Sequence, residues 1–145
     1  MRRRNKRAMP LPANIELIAG AQELYDWFGY WPDFHDAEII KFHLELGVPS
    51  SLVIRTWQMT NRVNAQGYYE MTKHVIVEFV LDGISTLDLQ DPWAHSILFD
   101  LVIEKDESGF RLILSSAYGL SGIIKAHSVS LQITHGQPSQ TSLSS

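Results

Sequence analysis

The chain has 145 residues, of which 45% are hydrophobic and 19% are charged, a composition typical of a single soluble globular domain. It contains no cysteine, which excludes a disulfide framework, zinc–thiolate sites and thiol catalysis. The formal net charge of the chain is −4, and five of its 12 bases lie in the first 12 positions. The rest of the chain therefore has 12 − 5 = 7 bases against 16 acids, a formal charge of 7 − 16 = −9. An acidic body argues against general nucleic-acid binding and favours either plain solubility or a basic partner.

The two ends of the chain lack the apolar periodicity of packed elements. Residues 1–12 carry bases and no acid, and Pro10 and Pro12 interrupt them before any apolar run long enough for a signal peptide. We therefore expect a disordered basic arm on a cytoplasmic protein without a membrane partner, and contact of the arm with nucleic acid or a membrane is the alternative. Residues 136–145 are rich in Ser and Gln and are predicted to form a disordered tail, which leaves residues 13–135 as a single domain.

The segment 15–28 carries apolar residues at the spacing of one helix face. The steps of four, three and four residues predict an amphipathic helix whose apolar side is formed by Leu17, Ala21, Leu24 and Phe28. Asn14 is placed to cap its N-terminus through a side-chain oxygen. Gly29 is placed to end it, because glycine adopts the left-handed conformation without a Cβ penalty.

From residue 40 onward the hydrophobic period changes from that of a helix to the two-residue period of half-buried strands. Strands are predicted over 40–46, 52–59, 74–82, 84–89, 97–104, 110–114 and 123–133, and the pair around the loop 105–109 reads as a hairpin. Gly83 is expected to break the run between the third and fourth strands. The sequence therefore predicts an α+β fold, in which an N-terminal helix packs on a mainly antiparallel β-sheet of about six to eight strands.

A dense aromatic and charged run, residues 28–38, lies between the predicted helix and the first strand. Pro32 forbids a continuing helix, and Trp31 and Phe34 supply apolar surfaces that would anchor the corner on the core. Strand parity, if it extends so far, turns Asp36 and Glu38 toward the core. We expect a buried structural network, in which an acid accepts backbone N–H groups and a histidine ties two strands together.

The same cluster of His35, Asp36 and Glu38 also fits a metal site or an acid/base pair. Adjacent residues of an extended chain point to opposite sides, so His35 and Asp36 could share one ion only across a turn. The other histidines show no metal-ligand spacing, and no Gly-x-Ser-x-Gly nucleophile setting occurs. We therefore predict no catalytic residue, no metal ligand and no cofactor. A small metal-dependent hydrolase and a ligand-binding module with a pocket between helix and sheet are the alternatives.

The run Trp-Pro-Asp-Phe-His-Asp-Ala-Glu at residues 31–38 resembles the signature of the Immunity protein 50 family of bacterial polymorphic-toxin systems, in which Ser usually stands at the position of Asp33. Either residue can cap a following turn. A late Tyr-Gly-x-x-Gly turn is matched by Tyr118, Gly119 and Gly122, and the resemblance extends over residues 15–135. It implies a non-enzymatic immunity protein that binds and neutralises a cognate toxin.

Further expectations concern how such a toxin would be bound. A nuclease with a basic cleft is one candidate toxin, since an acidic body would occlude that cleft and steer association. Four aromatic residues outside the clean strand alternation are candidate partner contacts: Trp57, Tyr68, Tyr69 and Trp93. Ordinary packing is the alternative for these rings.

Overall fold

The computed structural model describes residues 11–63, 65–67, 69–92 and 95–135. The predicted tail and nearly all of the predicted basic arm lie outside these residues. Leu11, the last residue but one of the arm, is buried in the hydrophobic core. Leu11 therefore belongs to the packed domain and not to a disordered arm.

The N-terminal segment forms two short helices, α1 (Ala13–Glu16) and α2 (Ala21–Phe28), so the prediction of one continuous helix is wrong. Gly20 separates them with a φ of +92°, and a Cβ there would lie 2.1 Å from the carbonyl oxygen of Leu131. This close approach lets the amide of Leu131 donate to the carbonyl of Ala19 at 2.7 Å. A contact with a distant strand thus overrides the local helical periodicity, and Leu17 is 63% exposed instead of lying on an apolar helix face.

The ends of the helices follow the sequence only in part. Gly29 ends α2 as predicted, with a φ of +86° and its amide donating to the carbonyl of Tyr25. The predicted cap is wrong, because Asn14 lies inside α1 and its side chain donates instead to the carbonyl of Ile103. Four helical residues lie in the hydrophobic core: Ile15, Ala21, Leu24 and Phe28.

Within the described ranges six strands follow the helices, and their neighbours pair antiparallel, which confirms the prediction of a mainly antiparallel sheet of about six to eight strands. In chain order they are β1 (Glu38–His43), β2 (Ser50–Val63), β3 (Tyr69–Gln90), β4 (Ser96–Asp106), β5 (Gly109–Tyr118) and β6 (Ser121–His135). Their order is β1-β2-β3-β6-β5-β4, and pairing of β1 with β4 closes the sheet into a barrel. The sequence did not predict this closure.

Two strand boundaries differ from the predictions because of local irregularities. Residues 74–82 and 84–89 belong to one strand, since Gly83 adopts a φ of +70° and a register shift follows between Ile84 and Thr86 without ending the ladder. The first strand stops at His43, so residues 44–46 form part of a turn. A second register shift after Ile39 moves Ile40 out of the buried alternation.

The interior of the barrel is filled by alternate residues of its strands. Leu52, Ile54 and Thr56 of β2 are buried, and so are Val75, Val77, Phe79 and Leu81 of β3. Each such apolar side chain contributes about 1.5–3 kcal/mol through removal from water. The intervening residues of these strands face outward, and this outer face carries the polar part of the site described next.

The predicted hairpin of β4 and β5 is confirmed, with Asp106 paired to Gly109 across a tight turn. The carboxylate of Asp106 accepts hydrogen bonds from the amide and the hydroxyl of Ser108, each at 2.8 Å. These two bonds lower the pKa of Asp106 to about 2.

Candidate functional site

The corner between α2 and β1 is held in an uncommon backbone conformation. Phe34 and Asp36 have φ values of +66° and +70°, the left-handed region that costs an L-residue roughly 1–2 kcal/mol. The carboxylate of Asp33 accepts the amide of His35 at 2.9 Å, which confirms that an Asp at this position caps the turn. The corner therefore folds back on itself instead of running on as extended strand.

Backbone hydrogen bonds fix this corner to β4. The amide of Asp36 donates to the carbonyl of Leu98 at 2.9 Å, and the amide of Leu98 donates to the carbonyl of Ala37 at 2.8 Å. Asp36 thus precedes the strand that begins at Glu38, so strand parity does not apply to it. The prediction that Glu38 points toward the core is also wrong, because Glu38 follows the fully buried Ala37 and its side chain pairs with Arg55 on the outer face.

The apolar residues of the corner pack into the core. Phe34 is 1% exposed, and its ring lies edge-on to Phe79 at 5.9 Å between centroids. Trp31 packs against Phe34 at 5.8 Å, but it is only partly buried, whereas Pro32 is buried. Phe34 is therefore the anchor of the corner, and Trp31 covers it from the solvent side.

The polar residues of the corner lie at the surface, so the expectation of a buried network is wrong for His35 and Asp36, whose side chains are 53% and 51% exposed. His35 does tie the corner to a strand, because its Nδ1 hydrogen-bonds the carbonyl oxygen of Phe99 at 3.0 Å. This bond and the nearby Asp36 carboxylate raise the pKa of the His35 imidazole above its usual 6.5. The turn brings the His35 Nε2 within 3.7 Å of an Asp36 carboxylate oxygen.

Glu38 belongs to a different set of contacts from His35 and Asp36. Its Oε1 accepts a hydrogen bond from Nη1 of Arg55 at 2.7 Å, and its Oε2 lies 4.0 Å from Nδ1 of His95. Within the described ranges, no three His, Asp or Glu side chains converge in a way that would hold a metal ion. The three residues that the sequence grouped together are therefore divided into two neighbouring pairs.

The late turn of the resemblance packs against the start of β4. A Cβ on Gly119 would lie 2.3 Å from Oγ of Ser96, and a Cβ on Gly122 would lie 2.0 Å from the carbonyl oxygen of Asp88. The amide of Leu120 donates to the same Ser96 Oγ at 2.8 Å. Positive φ values of 99° and 138° add to the steric requirement, so glycine is needed at both positions.

The two motif segments meet on one outer face of the barrel. Cross-strand pairing aligns Arg55 with Glu38, Glu38 with Ile97, and Ile97 with Tyr118, so the side chains of this row share a face. The ring of His95 lies 6.0 Å from that of Tyr118. Phe99 follows Ile97 on the same side of β4, and the His35 ring meets it edge-on at 5.2 Å.

We call this area the motif surface, and it consists of His35, Asp36, Glu38, Arg55, His95, Phe99 and Tyr118. Phe99 and Tyr118 are 57% and 56% exposed, although large aromatic side chains usually pack inside. Sequence reasoning missed three of these residues: Arg55, His95 and Phe99. The outward parity of Arg55 was readable from its position between buried neighbours, but its contact with Glu38 needed the strand register.

Of the four aromatic residues predicted as partner contacts, Trp57 is the one whose side chain the structure describes. Trp57 is half-buried on β2, two residues beyond Arg55, with its ring 6.0 Å from that of His74. Tyr68 and Trp93 lie outside the described residues, and Tyr69 is described only as backbone of β3. Because Trp57 lies two residues after Arg55 on the same strand, it borders the motif surface.

Comparison of the chain with family models, with curated proteins and with solved structures finds no match. The resemblance to the Immunity protein 50 family stays a prediction that rests on the residues named above. No helix in the described part of the chain is both long enough and apolar enough to cross a membrane.

Proposed function

We propose that this protein is an immunity protein of the Immunity protein 50 type, which binds a cognate bacterial toxin and neutralises it without being an enzyme. The observation that carries the proposal is the motif surface. There, two exposed aromatic rings lie among charged side chains that pair with one another at the surface. Exposed aromatic and Arg side chains are the types that dominate binding energy at protein interfaces.

The charge of the body supports a basic toxin surface as the target. With 7 bases and 16 acids beyond the first 12 residues, this part of the chain carries a formal charge of −9. A nuclease that holds nucleic acid in a basic cleft would be attracted to such a body, and association would be accelerated at low salt. The proposal therefore includes a nuclease as the toxin and requires neither a nucleic-acid nor a membrane partner.

Two further parts of the proposal concern the fold class and the location. We propose an α+β domain in which the N-terminal helical segment packs on the sheet, supported by the burial of Leu24 and Phe28 and by the hydrogen bond from Asn14 to Ile103. We place it in the cytoplasm, where a toxin made by the same cell or delivered by a neighbour would be met.

A second candidate function rests on the approach of His35 to Asp36. An imidazole 3.7 Å from a carboxylate, with a raised pKa, is an arrangement used in general acid and base catalysis. A small hydrolase built on this pair would use His35 and Asp36 without Glu38, which pairs with Arg55 instead. It would lose activity in His35→Ala without loss of folding.

The test of the first proposal is co-expression with the product of the adjacent gene. We expect the two proteins to co-purify, and Phe99→Ala or Tyr118→Ala to weaken the complex by about 2 kcal/mol or more, as at interface hot spots. Leu17→Ala is the control, because Leu17 is similarly exposed and takes part in none of the contacts that define the motif surface. Its effect should stay within about 0.5 kcal/mol.

Three outcomes would count against parts of this proposal. Failure to co-purify with the adjacent gene product would refute the immunity function. Equal effects of Phe99→Ala and Leu17→Ala would refute the motif surface as the contact. An affinity that does not fall between low and high salt would refute the electrostatic argument for a basic target.

A further inference from the structure

The second half of β3 is a strand with one free edge. Its pairing with β2 ends where Ser50 meets Leu81, whereas its pairing with β6 continues to Gln90. Within the described chain no other strand pairs with residues 82–90 on the side that β2 has left. Unpaired backbone N–H and C=O groups along an edge form a template for another strand.

A continuous stretch of this edge is long enough to hold a peptide. The register shift after Ile84 bends the first part of the segment, but residues 86–90 pair with β6 without interruption, from Thr86 opposite Lys125 to Gln90 opposite Ser121. Five residues of strand span about 17 Å. That length can present two or three main-chain hydrogen-bonding positions to an added strand.

The space beside the free edge is open. A cavity of 470 Å³ lies between residues 82–87 and the turn that joins β1 to β2, and a second cavity of 210 Å³ lies between Leu89 and residues 39–42. Apolar side chains border this space while exposed to solvent, among them Ile40, Leu44, Leu46 and Leu87. We call the free edge together with these two cavities the β3 groove.

The two faces of the edge differ in chemistry. Leu87 lies opposite the fully buried Ile124, so Leu87 and Leu89 are on the apolar side, whereas Asp88 lies opposite Ile123 on the outer side. The carboxylates of Asp82 and Asp88 are exposed, and they form no ion pair with any residue that the structure describes. An added strand would therefore meet apolar groups on one face and unpaired negative charge on the other.

We propose that the β3 groove binds an extended segment of a partner protein by strand addition, and that this segment alternates apolar with Lys or Arg side chains. Main-chain hydrogen bonds to residues 86–90 supply affinity, and the alternation supplies specificity. A second copy of this chain fits less well, because an antiparallel pair of such edges centred on residue 88 brings Asp88 against its own counterpart. The groove shares no residue with the motif surface, although its second cavity is lined by Ile39 and Ser96, the neighbours of Glu38 and His95. The proposal does not depend on the partner being a toxin.

The test uses a capped heptapeptide that alternates lysine with valine, titrated into the full chain and followed by calorimetry and by amide chemical shifts. We expect the peptide to bind and to change the amide chemical shifts of residues 82–90 most. Two further peptides carry backbone N-methyl groups, one at its lysines and the other at its valines, and we expect one of these two to bind at least tenfold more weakly than the unmethylated peptide. N-methylation removes edge donors but keeps the side chains. Equal binding of both methylated versions, or shift changes centred on the motif surface, would overturn the proposal.

Paired variants test the charge part of the argument. Asp88→Lys should weaken binding of the lysine and valine peptide at least fivefold, whereas Glu107→Lys, which makes the same charge change at the exposed turn between β4 and β5, should change it less than twofold. Equal losses in the two variants would show a general charge effect and overturn the site. A stable dimer of the unliganded chain in sedimentation, dissociated by the lysine and valine peptide, would assign the groove to a second copy instead.

Discussion

Replacing Phe34 is the most direct test of how the corner of residues 31–38 is held. Phe34 combines two features that rarely occur together, a side chain that is 1% exposed and a left-handed backbone with a φ of +66°. We expect Phe34→Ala to destabilise the protein strongly through the cavity that the ring leaves. We also expect Phe34→Gly to be no less stable than Phe34→Ala, against the usual ranking of these residues.

The magnitudes follow from burial and backbone geometry. Loss of a buried phenylalanine ring costs about 3–5 kcal/mol, including the edge contacts to Phe79 and Trp31. At this length, that corresponds to a fall in melting temperature of about 6–20 °C. Glycine normally costs about 0.5–1 kcal/mol relative to alanine, but here it also relieves roughly 1–2 kcal/mol of left-handed strain. The two effects leave Phe34→Gly equal to Phe34→Ala or slightly more stable.

Urea unfolding monitored by circular dichroism measures the free energy of unfolding of Phe34→Ala and Phe34→Gly relative to the unchanged protein. The comparison requires that this free energy falls with urea concentration at the same slope in all variants. Trp31→Ala is the companion variant, and it should cost less than Phe34→Ala because Trp31 is only partly buried. A cost of Phe34→Ala below about 1 kcal/mol would show that the ring is not the anchor. Phe34→Gly falling well below Phe34→Ala would refute the left-handed backbone.

Two further predictions concern the late turn and the surface histidine. Gly122→Ala should destabilise the fold by roughly 2 kcal/mol or more, as a defect in the core does, because its Cβ would lie 2.0 Å from a carbonyl oxygen. Gly47→Ala, at a φ of +83° with open space around it, should cost only about 1 kcal/mol. Thermal unfolding compares the two variants, and equal losses of stability would contradict the steric argument. The imidazole of His35 should titrate above pH 6.5 in NMR spectra, and Asp36→Asn should lower its pKa. Because the folded pKa is raised, the contribution of His35 to stability is complete below pH 6.5 and is lost as the pH rises through the folded pKa. A midpoint at or below 6.5 would contradict the hydrogen bond to Phe99.

Regular alternation was enough to predict the parts of the fold that depend on local pattern. The β4–β5 hairpin follows from a two-residue period bounded by turn residues, and Gly29 ends its helix because glycine adopts the left-handed conformation without strain. The aromatic residue Phe34 was expected to anchor the corner because apolar rings of that size are rarely left in water.

The site depended on contacts that no local pattern contains. Asp36 was expected to face the core because strand parity was extended backward through it, and its left-handed conformation breaks that parity. Arg55 and His95 lie far from Glu38 in sequence, and only the strand register brings them to it. The exposure of Phe99 and Tyr118 likewise follows from the face on which the register places them.

The sequence by itself determined the class of element along most of the chain, the residues that fill the interior and the excess of acid over base, because each of these is a property of nearest neighbours or of composition. Only the tertiary structure decided that the sheet closes into a barrel, that the helical segment divides at Gly20, and that the free edge of β3 and the motif surface exist. These features arise where residues far apart in the chain compete for the same space. Glycine at position 20 is required by the carbonyl of Leu131, a contact that exists only after the barrel has formed.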